Sequence, residues 1–223
     1  VRLTSLRFAE LMRCYYAAEG EFLPLAALPV GFHKPDIQMF MAKFYMDKPL
    51  RSDYRMPEWM ISIQVGAALC RERVADILDC TGSNISAKNV NYSELTALYW
   101  IWKNRLIQKT TVDDQKYYGL SHYRRILELS PDDILRLADN DVDAVLPYPM
   151  PYEPDIGEHH KRYLAEADWN ALRLALMELQ PEYAEAFPDI LGQQYFYNYN
   201  IILAKKSVLA AYCEWLFPIL ERV

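Results

Sequence analysis

Asp79-Cys80-Thr81-Gly82-Ser83-Asn84-Ile85-Ser86-Ala87-Lys88-Asn89 is a polar stretch with no room for a core. It is followed by Asn91-Tyr92-Ser93-Glu94-Leu95-Thr96-Ala97-Leu98-Tyr99-Trp100-Ile101-Trp102-Lys103-Asn104 and then by Tyr117-Tyr118-Gly119-Leu120-Ser121-His122-Tyr123-Arg124-Arg125. The first piece reads as a loop. The second reads as one helix, opened by Asn91 with Glu94 three residues on, a spacing that fits a capping box. Leu95, Leu98 and Trp102 fall on its buried face, with Tyr92, Thr96, Tyr99 and Lys103 on the next stripe. The third piece is a short strand ending in a histidine, a tyrosine and two arginines. A polar loop, a helix start and a strand end are where α/β proteins place their ligands. Asp79 to Arg125 therefore reads as one half of a site for an anionic substrate, and a sugar nucleotide fits it best.

Outward from that segment, the pattern alternates. Towards the start, Leu3, Leu6, Leu11, Met12 and Tyr15 recur at helical spacing, which predicts an amphipathic helix up to Gly20. Leu23 to Phe32 predicts a brief strand, Ile37 to Pro57 irregular structure, and Ile63 to Leu78 a partly helical stretch. Towards the end, Ser130-Pro131-Asp132-Asp133 is a strong helix start, with a cap, a proline at the first position and acids at the positive end of the dipole. Asp143 to Pro147 is a short strand, Pro147 to Pro154 an extended loop, and Asp168 caps a helix through Leu179. Pro181 starts another turn or two. Tyr195 to Leu203 is the longest strand candidate, and Ser207 caps a final helix kinked near Pro218. Strands alternating with helices predict an α/β sandwich. Residues 1–30 form an N-terminal helical extension in this reading, and 31–223 one domain. The chain opens at Val1 and ends at Val223 inside a helical pattern, so a longer parent and a domain incomplete at its C-terminus are expected.

Composition narrows the classes. A formal charge of −6 argues against a general nucleic-acid binder held by phosphates, so any functional arginine must act locally. Tyrosine leads the aromatics with 17 residues against 8 Phe and 5 Trp, which suits pockets that take sugars or bases. Cys14, Cys70, Cys80 and Cys213 show no metal-ligand pairing and read as thiols of a reducing compartment. No apolar run is long enough to span a bilayer.

Arg presents a planar fork that holds two phosphate oxygens and keeps its charge, so Arg124 and Arg125 beside His122 suit a diphosphate. Salt bridges to internal acids are the competing explanation. Asn84, Ser86, Lys88 and Asn89 offer amide, hydroxyl and ammonium groups that could read ribose, base or sugar, or form only a solvated turn. Glu94 is a capping residue unless it also faces a cleft. His33 and the pair His159-His160 are possible bases or ligands, but nothing in their spacing supports a metal. Asp141-Val142-Asp143 precedes a strand instead of ending one and reads as structural. Asn198 and Asn200 would share one face of the last strand, holding either an acceptor sugar or a neighbouring loop.

Taken together, the chain resembles a bacterial family of capsular- and exopolysaccharide-type glycosyltransferases catalogued as a domain of unknown function. The matching pieces are His33-Lys34-Pro35, Ile63-Gln64-Val65-Gly66, Thr81-Gly82-Ser83-Asn84-Ile85-Ser86, Lys88-Asn89, Tyr92-x-Glu94-Leu95-Thr96 and Tyr99-Trp100-x-Trp102-Lys103-Asn104. Further on come Gly119-Leu120-x-His122-Tyr123-Arg124-Arg125, Asp143-x-Val145-Leu146-Pro147, Pro181-Glu182-Tyr183 and Tyr212-Cys213-Glu214-Trp215-Leu216-Phe217-Pro218-Ile219-Leu220. The first thirty residues have no counterpart, and the family continues past the equivalent of Val223. Tyr197-Asn198-Tyr199-Asn200 stands where the family more often has a Phe-Asn-Met-like run.

The resemblance implies a GT-A-like, nucleotide-sugar-binding α/β/α sandwich with a mixed sheet. It implies transfer of a hexose-type sugar from a nucleoside diphosphate, UDP above all, to a glycan or lipid-linked glycan acceptor of a bacterial capsule, exopolysaccharide or O-antigen. His122, Arg124 and Arg125 are then the catalytic candidates. His33, Asn84, Ser86, Lys88, Asn89, Tyr92, Glu94, Tyr99 and Lys103 make up the donor-binding set. Arginine charge is expected to stand in for a divalent metal, with no other cofactor. The expected place is the cytoplasm, peripheral at the inner face of the membrane, alongside other parts of a glycan-assembly system. A non-catalytic glycan- or nucleotide-binding module of a larger enzyme is the alternative.

Overall fold

The strand at the middle of the sheet is Asp36–Lys43 (β1), in which Met39, Phe40, Met41 and Ala42 are all buried. Continuous burial marks a strand covered on both faces, so it carries no alternation for a sequence reading to catch. This corrects the expectation of irregular structure from Ile37 onward. The computed structural model describes residues 34–49, 55–107, 116–125, 127–147 and 149–223. The helix predicted up to Gly20, the strand at Leu23 to Phe32 and His33 lie outside the described residues.

On one side β1 pairs in parallel with Met60–Gln64 (β2), which pairs in parallel with Ile77–Leu78 (β3). On the other side it pairs in parallel with Lys116–His122 (β4). Antiparallel to β4 lies Ile202–Lys205 (β8), and antiparallel to β8 lies Ala144–Val145 (β5). The described residues thus form a six-stranded mixed sheet in the order β3-β2-β1-β4-β8-β5. The expected α/β class with a mixed sheet is what the structure shows. The stretch from Ile63 to Leu78 is strand and loop with a single 3-10 turn at Ala67–Leu69, less helical than its composition suggests. Gly119 sits where β4 and β8 approach most closely: a Cβ there would lie 2.4 Å from the Ile202 carbonyl oxygen and 3.0 Å from Leu203 Cα.

The helical segment after the polar loop is Asn89–Tyr92 (α1) and Leu95–Ile101 (α2), continued by a π-helical turn at Trp102–Leu106. Trp100 packs edge-on to Phe40 of β1 at 5.9 Å, and Leu98 and Ile101 are buried. Pro131–Asp139 (α3) starts as expected, with Ser130 and Asp133 exchanging a reciprocal capping pair that holds the Asp133 carboxyl below its ordinary value. Ile134 and Leu137 of α3 join Ile37, Met39, Tyr117 and Leu203 in one core cluster. The Tyr117 hydroxyl, pushed up by burial, donates to the Val142 carbonyl at 2.5 Å.

Chain contacts divide the protein into two units. The one just described takes in the described residues of 34–147 together with 199–214. The other takes in 149–198 and 215–223. In it, Met150–Pro151 (β6) pairs with Tyr195–Phe196 (β7), beside Ile156–His160 (α4), Glu166–Leu179 (α5) and Pro181–Leu191 (α6). Its core is Ala175, Leu176 and Ile219, flanked by Leu172, Phe187 and Trp215. His159 meets the Tyr152 ring edge-on at 4.6 Å and His160 lies tilted against it at 5.2 Å, so this pair is built into an aromatic cluster. The last helix, Lys206–Arg222 (α7), runs on through Pro218.

The long strand expected from Tyr195 to Leu203 is two strands separated by a turn. Tyr199 (φ 74°) and Asn200 (φ 51°) both take the left-handed conformation there, which breaks the alternation. Asn198 and Asn200 therefore serve different partners: the Asn198 amide donates to Tyr152 Oη at 2.5 Å, and the Asn200 amide to Glu94.

Candidate functional site

Because β1 to β4 are parallel, their carboxyl ends share one edge of the sheet. Strand order reverses at β1, with β2 and β3 on one side and β4 on the other. At such a reversal the loops diverge to opposite faces and leave a crevice. A cleft of about 320 Å³ opens at this place. Ala42 and Phe44 line it from the end of β1, His122 from the end of β4, and Asn89 and Glu94 from the helical segment, with Asp47 at the rim after β1. A second hollow of about 290 Å³ shares Phe44, Asp47 and Tyr123 with it and adds Lys43 and Lys48.

A fully buried carboxylate organises this edge. Asp79, just after β3, accepts from the Gly66 and Ala67 amides at 2.8 and 3.0 Å and from Ser86 Oγ and Thr96 Oγ1 at 2.5 and 2.6 Å. Backbone and hydroxyl donors thus satisfy both oxygens of a side chain that burial without partners would penalise heavily. Ser86 Oγ accepts in turn from the Ala68 amide at 3.0 Å. Gly66, at φ 62°, lies under Asn89, and a Cβ there would come within 2.8 Å of Asn89 Oδ1.

This network also explains why the expected single helix is broken. The Asn89 amide donates to the Ser93 carbonyl at 2.7 Å and to Thr96 Oγ1 at 3.2 Å, drawing the backbone out of the helical ladder. Ser93 turns to φ 47°, ψ −130°, and the helix restarts at Leu95. The predicted Asn91–Glu94 capping box is absent: Glu94 is itself the N-cap of α2, and no side chain caps that end. The Glu94 carboxylate instead lines the cleft and accepts from the Asn200 amide at 2.9 Å.

His122 is half-buried. Burial pushes its imidazole below the ordinary histidine value; Glu94 and Asp47 pull it up, while Arg125 and Arg124 push it further down. Its Nδ1 accepts from the Arg124 amide at 3.3 Å. A neutral ring that accepts at Nδ1 carries its proton on Nε2, so it meets a ligand as a donor. Beyond it the chain turns tightly, with the Arg125 amide donating to the His122 carbonyl at 2.9 Å. The Arg124 guanidinium lies over the Tyr123 ring at 4.9 Å and that of Arg125 over the Tyr199 ring at 3.6 Å. Among the described residues neither forms an ion pair with a carboxylate, and neither lines the cleft itself.

The remaining candidates are dispersed around this edge. Asn84 donates to the Cys80 and Gly82 carbonyls at 3.1 and 2.9 Å, so with Ser86 it shapes the loop from within. Lys88 lies 5.9 Å from the Tyr92 ring, and Lys103 sits over Trp102 at 3.3 Å and Tyr99 at 5.6 Å. The cleft thus gathers Asn89, Glu94 and His122 from the expected set. Asp141 and Asp143 both bind Lys205 Nζ, at 2.5 and 2.8 Å, in keeping with a structural role. Sequence reasoning missed Asp47, Lys43 and Asp79, and it weighed Asn200 only together with Asn198, for an acceptor sugar or a neighbouring loop. Asp79 had one available signal, a lone acid between an apolar pair and a Gly-containing polar loop; Asp47 and Lys43 follow a strand that was not recognised. Burial pushes the Cys213 thiol up to about 12, which leaves it unreactive.

A parallel-stranded edge with a cleft at the strand-order reversal defines an open-sheet α/β protein of the kind that takes its ligand at the carboxyl ends of its strands. The apo structure of WbbM, a bifunctional glycosyltransferase, superimposes with a TM-score of 0.66 and 24% identity over 83% of this chain. This chain spans 36% of that one, and the likeness is one of fold. The chain belongs to the family described as "Domain of unknown function (DUF4422)", whose profile matches residues 50–223. No curated protein matches it closely enough to carry a role across. Among the described residues, no helix is long and apolar enough to cross a membrane.

Proposed function

We propose that this protein is a glycosyltransferase that moves a hexose-type sugar from a nucleoside diphosphate, UDP before others, to a bacterial surface-glycan acceptor. The observation that carries the reading is the end of β4. His122 lines a cleft at the strand-order reversal, and the two adjacent guanidinium groups, Arg124 and Arg125, are paired with no acid among the described residues. The fold shared with a bifunctional glycosyltransferase supports it.

In this reading Arg124 and Arg125 hold the diphosphate and neutralise the charge that develops as the bond to the anomeric carbon breaks. His122 donates Nε2–H to the leaving group or the sugar, and Asn89 orients the donor in the cleft. The Asp-x-Asp at Asp141–Asp143 is committed to Lys205, so the reading assigns charge neutralisation to arginine and not to a divalent ion. The cytoplasmic face of the membrane, where nucleotide sugars and lipid-linked acceptors meet, is the corresponding place of action.

A thermal-shift panel of UDP-, GDP-, CMP- and dTDP-sugars, followed by an assay for released nucleoside diphosphate in excess chelator, tests this. One nucleotide class should raise the melting temperature, since a ligand at about 100 times its Kd stabilises by about 2.7 kcal/mol. Slow release without acceptor should follow. Selective binding with no release would establish a binding module instead, and strict dependence on added manganese would overturn the arginine assignment.

A further inference from the structure

Among the described residues, four other than glycine take positive φ: Ser93, Asp141, Tyr199 and Asn200. Asp141 has a structural reason: it follows the C-cap of α3 in a helix-ending turn, where its amide and that of Val142 donate to the Ala138 and Leu137 carbonyls at 3.2 and 3.0 Å. The other three converge on one spot. Ser93 breaks the helix and delivers Glu94 to the cleft, while Asn200 reaches across and donates its amide to the Glu94 carboxylate at 2.9 Å. Tyr199, the preceding residue, places its ring 3.6 Å from the Arg125 guanidinium. The Asn89 amide on the Ser93 carbonyl accounts for the turn on the Glu94 side. An exposed amide–carboxylate contact, however, contributes little to folding, so stability alone does not account for two consecutive left-handed residues at Tyr199 and Asn200. Strain maintained by the surrounding structure is a mark of sites where geometry serves function.

We infer that Tyr199-Asn200 is a positioning turn, setting Arg125 against the donor with one residue and Glu94 against the acceptor with the next. This rests on the transferase reading above. His122 accepts from the Arg124 amide at Nδ1 and turns Nε2–H to the reaction as a donor, so the proton released by the acceptor needs another destination. Glu94, held by one oxygen through Asn200, is placed to receive it. As the acceptor hydroxyl oxygen bonds to the anomeric carbon, that carbon's bond to the diphosphate oxygen breaks. The electron pair leaves on the diphosphate, and the hydroxyl proton passes to Glu94. Attack assisted by a base on the face opposite the leaving group inverts the anomeric centre. Glu94 shares its surroundings with His122 at the end of β4 and Asp47 after β1, with Arg124 and Arg125 beyond the histidine.

The test uses whichever UDP-, GDP- or dTDP-hexose the wild-type chain turns over, with nucleoside diphosphate release as the readout. Asn200→Gly removes the amide and relieves the left-handed backbone. It should leave the melting temperature close to that of the wild type and donor binding intact, while kcat falls at least about tenfold. A purely structural residue would lose stability and activity together. Asn200→Asp sets a like charge against Glu94 and should move the acidic limb of the kcat–pH profile upward by about one unit. Tyr199→Leu should raise the donor KM with little change in kcat, and Tyr199→Phe should restore it. A retained anomeric configuration, or an Asn200→Asp enzyme with an unmoved acidic limb, overturns the inference while leaving the transferase standing. A wild-type chain that releases no nucleoside diphosphate from any of these sugars overturns both.

Discussion

Replacing Asp79 by alanine tests whether one buried carboxylate holds the ligand edge together. The side chain is fully buried and accepts four hydrogen bonds, from the Gly66 and Ala67 amides, Ser86 Oγ and Thr96 Oγ1. Thr96 Oγ1 already lies 3.1 Å from the Ser93 carbonyl and can turn to it. The two amides and Ser86 have no such alternative, and a buried donor left unsatisfied costs about 1–3 kcal/mol. Taking about 1.5 kcal/mol for each amide and about 1 for the hydroxyl gives about 4 kcal/mol. That is a large fraction of the roughly 5–15 kcal/mol that separates folded from unfolded protein. For a chain of this size it lowers the melting temperature by about 8–16 °C. Asp79→Asn keeps the volume and one acceptor oxygen but turns an NH₂ towards existing donors, so it should cost about half as much. Thermal unfolding followed by tryptophan fluorescence reads both variants, and Trp100, whose Nε1 donates to Thr81 Oγ1 at 2.9 Å, reports from beside the site. If Asp79→Ala melts within about 2 °C of the wild type, or the asparagine variant is the worse of the two, the network is not what fixes this edge.

Gly119→Ala forces a Cβ to 2.4 Å from the Ile202 carbonyl oxygen, so β4 and β8 must part; loss of at least about 3 kcal/mol in urea unfolding, or insoluble protein, is expected. His122 titrates lower in the folded chain than in the unfolded one because it is buried, so the folded state binds this proton less readily. Its contribution to stability is complete above about pH 6.5 and is lost as pH falls through the lower folded value. His122→Gln should remove that acid-side loss in a pH series of melting temperatures. Arg124→Ala and Arg125→Ala should each weaken nucleoside diphosphate binding and flatten its salt dependence, measured by titration calorimetry, with Arg→Lys recovering only part of the affinity. Lys205→Met should cost no more than about 1 kcal/mol at neutral pH, since the Asp141 and Asp143 side chains are 92% and 70% exposed and return to water; chemical denaturation measures it.

What the sequence made legible follows a physical line between local and non-local causes. Ser130-Pro131-Asp132-Asp133 was readable because a capping box is closed within four residues, and the structure holds it. Tyr117 to His122 was readable because apolar character, Gly119 and the polar strand end coincide in one short run. Asn91-x-x-Glu94 carried the same local signal as the Ser130 box and misled, because Asp79, Thr96 and Asn89 compete for that backbone from positions the local pattern does not weigh. Tyr195 to Leu203 misled for the same reason: its composition favours one strand, while the turn at Tyr199 and Asn200 is set by Arg125 and Glu94 from distant parts of the chain. The central strand β1 escaped because burial on both faces erases alternation. Local rules thus held where the backbone answers to its own neighbours and failed at Ser93, Tyr199 and Asn200, all beside Glu94 and the end of β4. A sequence whose local preferences are overruled mainly around one cleft has that cleft as its best candidate for selected geometry.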